Sequence, residues 1–164
     1  PAGDPDRNET QAREALLDAL PLDPARVHPM PPSDGPDGAD AEAAAARYAR
    51  ELAAGGAELP AFDVLMLGVG EDGHVASLFP GHPGLDATGT AAAVHDSPKP
   101  PPTRITLTMP AIRTAGEVWL IAAGAEKADA VGAALNGDPG RPASAATGTS
   151  RTVWLLDESA AAKR

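Results

Sequence analysis

The chain contains no cysteine, and only 3% of its residues are aromatic. The absence of cysteine excludes disulfide bonds and thiolate metal sites, and it is typical of proteins in a reducing compartment. No apolar run approaches the roughly 20 residues that a membrane-spanning helix needs, and no signal peptide is recognisable. We therefore expect a cytoplasmic protein without a membrane partner. Because 43% of the chain is hydrophobic, its core should consist mainly of alanine, leucine and valine.

Positive charge is also scarce. The chain has 13 lysine and arginine residues against 23 aspartate and glutamate residues, for a net charge of -10. Such an acidic surface repels nucleic acid, so we expect no nucleic-acid partner. It repels small anions as well, and an anionic ligand would need arginine or lysine side chains beside it. The simplest role of the negative charge is solubility.

The length of 164 residues suits one domain with a sizeable core, and we expect residues 1–164 to form a single domain. The 18 prolines and 17 glycines favour long loops over a bundle of long helices. The chain begins with Pro1 rather than methionine, and residues 1–5 have the composition of a loop. These features predict a partial domain, either a fragment or a processed product.

Helical and strand patterns alternate along the chain. Asn8 and Gln11 predict a capped helix start, and Gly55 and Gly56 predict the end of an alanine-rich helix. The predicted helices span residues 8–20, 39–54, 75–79, 108–116 and 124–135, with a tail after Asp157. The predicted strands span residues 62–67, 104–108, 117–122 and 152–156, with a short extended piece at 26–28 and loops at 81–102 and 138–151.

This alternation predicts a largely parallel sheet sandwiched by helices. Strands 62–67 and 117–122 are apolar without alternating polar residues. Such a pattern is typical of strands in a parallel sheet that are buried on both faces.

The most informative segment is GVGEDGHVASLFPG, residues 68–81, which follows an apolar strand. Its first six residues match the GxGxxG pattern of dinucleotide-binding proteins. That fingerprint requires a long helix after the third glycine and then a second strand that ends in an acidic residue. Pro80 and Pro83 interrupt the chain too early for such a helix, so we reject dinucleotide binding.

The same turn carries His74 close to Glu71, Asp72 and Ser77. A histidine in a turn is usually a solvent-exposed residue without a catalytic role. In a catalytic role, His74 would act as a general base, since the ordinary pKa of histidine is about 6.5. Asp72 or Glu71 would orient its ring. The backbone N–H groups of the turn, and of the helix predicted after it, would stabilise an anion.

The remaining histidines are scattered along the chain, at His28, His82 and His95. With no cysteine and no converging pair of histidines, the ligands of a typical zinc or iron site are missing. We therefore expect no metal site.

The segment closely resembles the signature of 6-phosphogluconolactonases, which usually has the form G-M-G-x-D-G-H-T-A-S-L-F-P. This chain differs from it by Val69 in place of methionine and Val75 in place of threonine. The likeness continues in KPPPTRITLT at 99–108, GAEKA at 124–128 and WLLDESA at 154–160. It extends over essentially the whole chain, and the histidine motif is specific.

The resemblance implies an α/β fold, a three-layer α/β/α sandwich with a mostly parallel, Rossmann-like sheet. Glucosamine-6-phosphate deaminases and ribose-5-phosphate isomerases share this fold. The implied reaction is hydrolysis of 6-phospho-D-glucono-1,5-lactone to 6-phospho-D-gluconate in the pentose phosphate pathway, without a metal or cofactor. By resemblance, His74 is the base, and Arg104 and Lys127 bind the sugar phosphate. The further expected catalytic and substrate-binding residues are Asp72, Glu71, Gly70, Gly73 and Ser77.

Charge considerations agree with these phosphate-binding roles. An acidic protein needs dedicated cations for a phosphate, and Arg104 and Lys127, at the starts of a predicted strand and helix, can converge above the sheet edge. The alternative for Arg104 is a solvated charge at a strand end. The alternative for Lys127 is an ordinary lysine in a first helical turn, where the helix dipole disfavours a cation.

Full-length members of the family carry an N-terminal part that this sequence lacks. That part includes the first strands, a glycine-rich S/G-G-x-T-P loop and a motif of an acidic residue and an arginine. We therefore expect a sheet that is incomplete at its N-terminal side and a complementing N-terminal segment as a partner. The chain alone should be weakly active or inactive.

Two alternative functions stay open. The first is a phosphosugar isomerase or deaminase, whose turn usually reads G-x-N-G-H-I-A-F, a pattern that Asp72 and Ser77 do not match. The second is a non-catalytic fragment that binds a phosphosugar, or binds a partner through an exposed sheet edge.

Overall fold

The computed structural model describes residues 1–53, 56 and 59–164. Its α-helices are α1 (Asn8–Ala15), α2 (Ala41–Leu52), α3 (Met109–Ile112), α4 (Ala128–Leu135) and α5 (Pro142–Ala145). Its strands are β1 (Val64–Gly68), β2 (Ala91–Val94), β3 (Arg104–Leu107), β4 (Glu117–Ala122) and β5 (Arg151–Leu156). Short 3-10 turns occur at Leu17–Ala19, Pro24–Arg26, Pro83–Asp86 and Ala125–Lys127.

Strands β1, β4 and β5 form a parallel sheet with β4 in the middle. This arrangement confirms the predicted α/β fold with a parallel sheet. The register pairs Ile121 of β4 with Gly68 of β1 and Leu155 of β5, so the carboxyl ends of the three strands lie at one edge. Strands β2 and β3 pair in antiparallel orientation as a separate, smaller sheet. Because ligands bind at the carboxyl edge of parallel α/β sheets, the loops after β1 and β4 are the expected place for a site.

One face of the parallel sheet forms the core of the protein. Leu67, Val118 and Leu120 lie on this face and are at most 7% exposed. They pack in one cluster with Ile112 of α3 and Val131 of α4, which are fully buried. Burial of an aliphatic side chain of this size contributes about 1.5–3 kcal/mol, so these contacts hold the sheet against the helices.

The opposite face of the sheet carries exposed apolar residues, next to an ion pair between Glu117 and Arg151 at the amino ends of β4 and β5. Met66 is 63% exposed, and Val64, Ile121 and Leu155 are 40–44% exposed. The prediction that both faces of strands 62–67 and 117–122 are buried is therefore wrong. The apolar sequence supplies two faces suited to burial, whereas residues 1–53, 56 and 59–164 cover only one of them. We call these four residues the bare face.

Helix α2 begins after Asp40, whose side chain accepts a hydrogen bond from the Ala43 N–H at 3.0 Å. It packs against β2 and β3 and buries Tyr48. The helix ends at Leu52 with Ala53 at its C-cap, and the predicted last residue, Ala54, and the first glycine of the stop, Gly55, lie outside the described residues. Gly56 follows with φ +87°, a left-handed conformation suited to glycine after a helix.

Helix α1 differs from its prediction at both ends. Arg7 occupies the N-cap position without a side-chain cap, and Gln11 Nε2 donates to the Pro5 carbonyl at 3.0 Å, so the predicted cap by Asn8 does not form. The helix ends at Ala15 and has no buried residue. Most protein helices are stabilised by tertiary packing, which α1 lacks because it buries no side chain. Its helical sequence pattern alone does not extend the helix to residue 20.

Several short elements depart from the sequence pattern. Strand β2 lies in a region that the sequence predicts to be a loop. Alanine has little preference for strands, so the sequence does not reveal β2, which depends on its pairing with β3. Helix α5 is a single turn that begins at Pro142 inside the predicted loop 138–151. Of the extended piece predicted at 26–28, Arg26 instead ends a 3-10 turn at Pro24–Arg26, whereas Val27 is extended with φ -107° and ψ +115°. The tail after Asp157 forms turns instead of the predicted helix.

The elements that frame the candidate site follow their predictions more closely. Strands β3, β4 and β5 lie within one residue of the predicted bounds. Thr108 caps α3, since its hydroxyl accepts a hydrogen bond from the Ala111 N–H at 3.2 Å. The predicted helix 124–135 is divided into a 3-10 turn and α4. Lys127 therefore ends the 3-10 turn and occupies the N-cap position of α4, with helical backbone angles of φ -88° and ψ -16°.

Candidate active site

The loop after β1 closes on itself through its backbone. The Gly70 N–H donates to the His74 carbonyl, and the Gly73 N–H donates to the Gly70 carbonyl, both at 2.9 Å. Residues 70–74, which we call the glycine turn, therefore form a compact unit at the carboxyl edge of the sheet. The polar side chains of the motif project from this unit.

Geometry requires two of the glycines in the turn. The ring of His74 lies directly over Gly70, and a Cβ atom at Gly70 would overlap the ring. Gly73 has φ +81°, and a Cβ atom there would lie 2.9 Å from Cδ of Arg141. Both predicted site glycines therefore have a backbone role, since they allow the turn to close around the histidine.

His74 and Asp72 form a close pair. Oδ1 of Asp72 lies 2.6 Å from Nδ1 of the ring, and it also accepts the His74 backbone N–H at 3.2 Å. Burial opposes ionisation of Asp72, but the hydrogen bonds from His74 outweigh this effect and lower the pKa of the carboxyl. An ionised carboxylate only accepts hydrogen bonds, so Nδ1 carries the proton. In neutral His74, Nε2 therefore keeps a lone pair, which is the state that a general base requires.

The two carboxylates of the turn differ in their relation to the base. The side chains of His74 and Asp72 are 17% and 32% exposed, so their pair is partly shielded from water. Glu71 is exposed, and within the described chain no hydrogen bond joins it to His74. Of the two partners that the sequence left open, the structure brings only Asp72 to the ring.

The segment after the glycine turn is not the predicted helix. Val75 forms isolated bridges with Val69 and Leu78, and Ala76 has φ +50°, which interrupts a right-handed helix. Val75, Leu78 and Phe79 are each at most 1% exposed. Burial of nearly every large side chain, rather than of one helical face, determines the path of this segment.

Ser77 is anchored to the second sheet. It is 8% exposed, and its N–H donates to Oγ1 of Thr106 in β3 at 3.1 Å. This N–H group is therefore engaged inside the protein. The expectation that a helix N-terminus after the turn would stabilise an anion is wrong, because the helix is absent.

Arg104 begins β3, and the proline-rich loop before it holds the guanidinium. Nε donates to the Pro101 carbonyl at 3.0 Å, while Nη2 donates to the Lys99 and Pro100 carbonyls at 2.9 and 2.8 Å. Partial burial lowers the pKa of Arg104, which nevertheless stays protonated at neutral pH. Nη1 has no acceptor in the described part of the chain. The two N–H donors of Nη1, on a guanidinium that is held in place, are therefore available to bind an anion.

Phe79 contacts both of these groups. Its ring centroid lies 4.5 Å from that of His74, with the planes tilted by 38°. Cζ of Arg104 lies 5.3 Å from the same Phe79 centroid. The structure thus brings two predicted site residues together through a third residue that sequence analysis did not single out.

Lys127 reaches the same edge of the sheet by another route. It follows β4, whose residue Ile121 is paired with Gly68 at the end of β1. No ion pair or hydrogen bond within the described residues engages its side-chain amine. Within the described residues, no contact joins Lys127 to Arg104 or His74. What supports a site shared by the three residues is that Lys127 follows β4 at the same edge of the sheet.

Arg141 belongs to the site although the sequence did not reveal it. Its Nη1 donates to the Asp72 carbonyl at 2.9 Å, and its aliphatic carbons lie against Gly73. The Ala143 N–H donates to the Gly73 carbonyl at 3.0 Å and adds a second link. Arg141 lies in a polar loop far from the turn in sequence, so no spacing pattern connects the two.

Two surface depressions lie away from the glycine turn, one beside α1 and one at residues 81–86, and neither is lined by His74. Among residues 1–53, 56 and 59–164, no group of three or more histidine, aspartate or glutamate side chains could hold a metal ion. No helix in this part of the chain is long and apolar enough to cross a membrane.

The chain is similar to several curated proteins. A sequence profile described as "Glucosamine-6-phosphate isomerases/6-phosphogluconolactonase" matches residues 1–154. The 6-phosphogluconolactonase of Streptomyces coelicolor is 60% identical over 171 residues, which cover 99% of this chain and 66% of the relative. The 6-phosphogluconolactonase of Mycobacterium tuberculosis is 52% identical, with 99% of this chain and 68% of the relative covered.

Solved structures show the same fold. The crystal structure of 6-phosphogluconolactonase from Thermotoga maritima has a TM-score of 0.80 at 27% identity, covering 95% of this chain and 67% of that chain. The enzyme from Trypanosoma brucei has a TM-score of 0.73 at 32% identity, covering 99% and 69%. The chain thus spans about two thirds of the length of these relatives. It belongs to the family of glucosamine-6-phosphate isomerases and 6-phosphogluconolactonases.

Proposed function

We propose that the chain supplies the base of an enzyme that hydrolyses 6-phospho-D-glucono-1,5-lactone to 6-phospho-D-gluconate. The observation that carries this proposal is the pair of Asp72 and His74 at the carboxyl edge of a parallel sheet. The pair leaves Nε2 of His74 available to accept a proton. The names of the relatives, at up to 60% identity, support the same reaction.

In the proposed reaction, water attacks the lactone carbonyl carbon while Nε2 of His74 takes one of its protons. Negative charge develops on the carbonyl oxygen. There the Glu71 N–H, which has no acceptor within the described residues, donates a hydrogen bond. The bond between the carbonyl carbon and the ring oxygen then breaks, and His74 returns its proton to that oxygen. The products are a carboxylic acid, which ionises, and a free hydroxyl.

Asp72 acts through His74. Its carboxylate accepts the Nδ1 proton at 2.6 Å and so fixes both the tautomer and the orientation of the ring. When His74 takes a proton from water, the adjacent negative charge stabilises the imidazolium. Asp72 is therefore a positioning and electrostatic group, whereas the exposed Glu71 side chain makes no contact that would give it this role.

The phosphate of the substrate requires cations, because the chain has a net charge of -10. We assign this role to Arg104, whose Nη1 donors are unengaged in the described part of the chain, and to Lys127 at the same sheet edge. A guanidinium offers two donors in one plane to phosphate oxygens, while an ammonium contributes a compact point charge.

Arg104→Ala is expected to raise KM for the phosphorylated lactone about 10- to 100-fold, since charge-assisted hydrogen bonds contribute about 1.5–3 kcal/mol. Steady-state kinetics with the phosphorylated and the unphosphorylated lactone would show whether the rise in KM depends on the phosphate. We expect KM to rise with the phosphorylated substrate only. Arg50→Ala removes the same charge from the exposed end of α2 and serves as the control. Equal changes of KM in the two variants would contradict a phosphate role for Arg104.

We further propose that efficient turnover requires a complementing segment, expected at the N-terminal side, that covers the bare face. The support is the exposure of Met66 (63%) and of Val64, Ile121 and Leu155 (40–44%) on one side of the sheet. Burial of apolar surface is favourable by about 25 cal/mol per Å², so an apolar segment is stabilised by docking there.

The test compares the chain alone with a fusion to the part of the Streptomyces coelicolor relative that the alignment leaves uncovered. Acid release from the phosphorylated lactone is measured above the spontaneous rate. We expect turnover by the fusion and weak or no turnover by the chain alone. Full turnover by the chain alone would contradict the need for the segment, and no turnover by either would contradict lactone hydrolysis.

The same two proteins discriminate the alternative functions. Release of ammonia from glucosamine 6-phosphate would favour deaminase chemistry. Binding of 6-phosphogluconate without turnover of either substrate would favour a non-catalytic fragment. We expect the fusion to release acid from the lactone and no ammonia from the amino sugar.

A further inference from the structure

Phe79 is a large buried side chain outside the main hydrophobic core. It is 1% exposed, yet the cluster that joins the sheet to the helices contains its neighbour Leu78 and not Phe79. The ring instead lies against groups that carry, or can carry, positive charge: His74, Arg104 and His82. Such surroundings indicate a role other than filling the core.

The contact with His74 restricts the plane of the imidazole. The hydrogen bond from Nδ1 to Asp72, at 2.6 Å, holds one edge of the ring. This bond is lost when the ring rotates about its Cβ–Cγ bond. The Phe79 ring, with its centroid at 4.5 Å, blocks that rotation. Together, Asp72 and Phe79 determine the direction in which Nε2 points.

The contact with Arg104 restricts the guanidinium in a similar way. Three carbonyls of the proline-rich loop hold its Nε and Nη2 atoms. The Phe79 ring lies 5.3 Å from Cζ, within the range of a cation–π interaction. The unengaged Nη1 donors of Arg104 therefore also have a defined direction.

We propose that Phe79 is a positioning residue that sets the separation between His74 and Arg104, an inference that rests on the proposed lactonase function. The two groups act on opposite ends of one substrate, the lactone carbonyl and the phosphate. A misplacement of about 1 Å in such an arrangement lowers rates by about 100-fold. Because both groups rest on one side chain, Phe79 couples substrate binding to the chemical step.

The test uses the fusion protein and two neighbouring substitutions. Phe79→Leu keeps an apolar side chain but removes the ring. We expect kcat to fall about 10-fold and KM to rise about 3- to 10-fold, because the base and the phosphate ligand both lose support. Leu78→Val trims a fully buried residue of the main core and is the matched control. We expect it to lower Tm while kcat and KM stay at the wild-type values.

A second readout does not depend on the reaction. Long-range 1H–15N spectra of the His74 ring report which nitrogen carries the proton. We expect the Nδ1–H form in the wild type and in Leu78→Val, and a mixture of both forms in Phe79→Leu.

Unchanged kinetics together with an unchanged ring spectrum in Phe79→Leu would overturn the proposal. Equal losses of kcat in the two variants would also overturn it, since they would indicate a role in stability alone. If the wild-type fusion lacks lactonase activity, the proposed function fails separately. The ring spectra then still decide whether Phe79 orients His74.

Discussion

His74→Ala is expected to lower kcat for the phosphorylated lactone about 100-fold or more, because general-base assistance contributes about 100- to 10,000-fold. KM should change little, since the phosphate is assigned to other side chains. Initial rates of acid release by the fusion protein, corrected for spontaneous hydrolysis, measure this loss. A variant with near-wild-type kcat would refute the assignment of His74 as the base.

Two further variants assign the partner of the base. Asp72→Asn places an amide beside Nδ1, which can donate a hydrogen bond and so favours the wrong tautomer. We therefore expect a large loss of kcat with little change of KM. Glu71→Gln removes an exposed carboxylate that does not contact the ring, and it should keep wild-type rates. A loss in Glu71→Gln as large as that in Asp72→Asn would transfer the orienting role to Glu71.

Gly70→Ala is expected to lower kcat about as far as His74→Ala does. The added methyl group would occupy the space of the His74 ring, so the ring must move away from Asp72. Displacement of a reacting group by about 1 Å already lowers rates about 100-fold. Kinetics of the fusion protein, together with circular dichroism and Tm, separate this displacement from unfolding.

Gly68→Ala is the matched control for this substitution. Gly68 ends β1, and an added Cβ atom there would meet nothing within 4 Å. In the chain alone, we expect the variant to keep its Tm and its circular dichroism spectrum. If Gly70→Ala retained wild-type kcat, the ring of His74 would not lie over Gly70 during the reaction.

Local patterns predicted much of the frame and the nearness of a carboxylate to His74. Strand β4 matches its predicted bounds because a short apolar run between breakers is a strong local signal. The pairing of His74 with a carboxylate followed from spacing alone, since Asp72 is two residues away. The choice between Asp72 and Glu71 was not predictable, because it depends on where the Gly70 backbone places the ring.

Tertiary contacts account for most of the differences. The pattern at 75–79 predicts a helix, but Ala76 adopts φ +50° and three large side chains around it are buried. The apolar runs in β1 and β4 predict two covered faces, whereas coverage depends on other parts of a protein. Arg141 and the contacts of Phe79 join distant segments, which no local pattern reports. The catalytic and substrate-binding roles of all the site residues, and the single-domain organisation, stay predictions.

The two bonds that Arg141 and Ala143 make to the glycine turn set an order for folding. The carbonyls of Asp72 and Gly73 find their partners only in the loop before α5 and in α5 itself. During synthesis, the histidine motif leaves the ribosome well before those partners do, and contacts of such long sequence separation form late. The reactive turn therefore becomes rigid only after Arg141 and Ala143 have left the ribosome and docked against it.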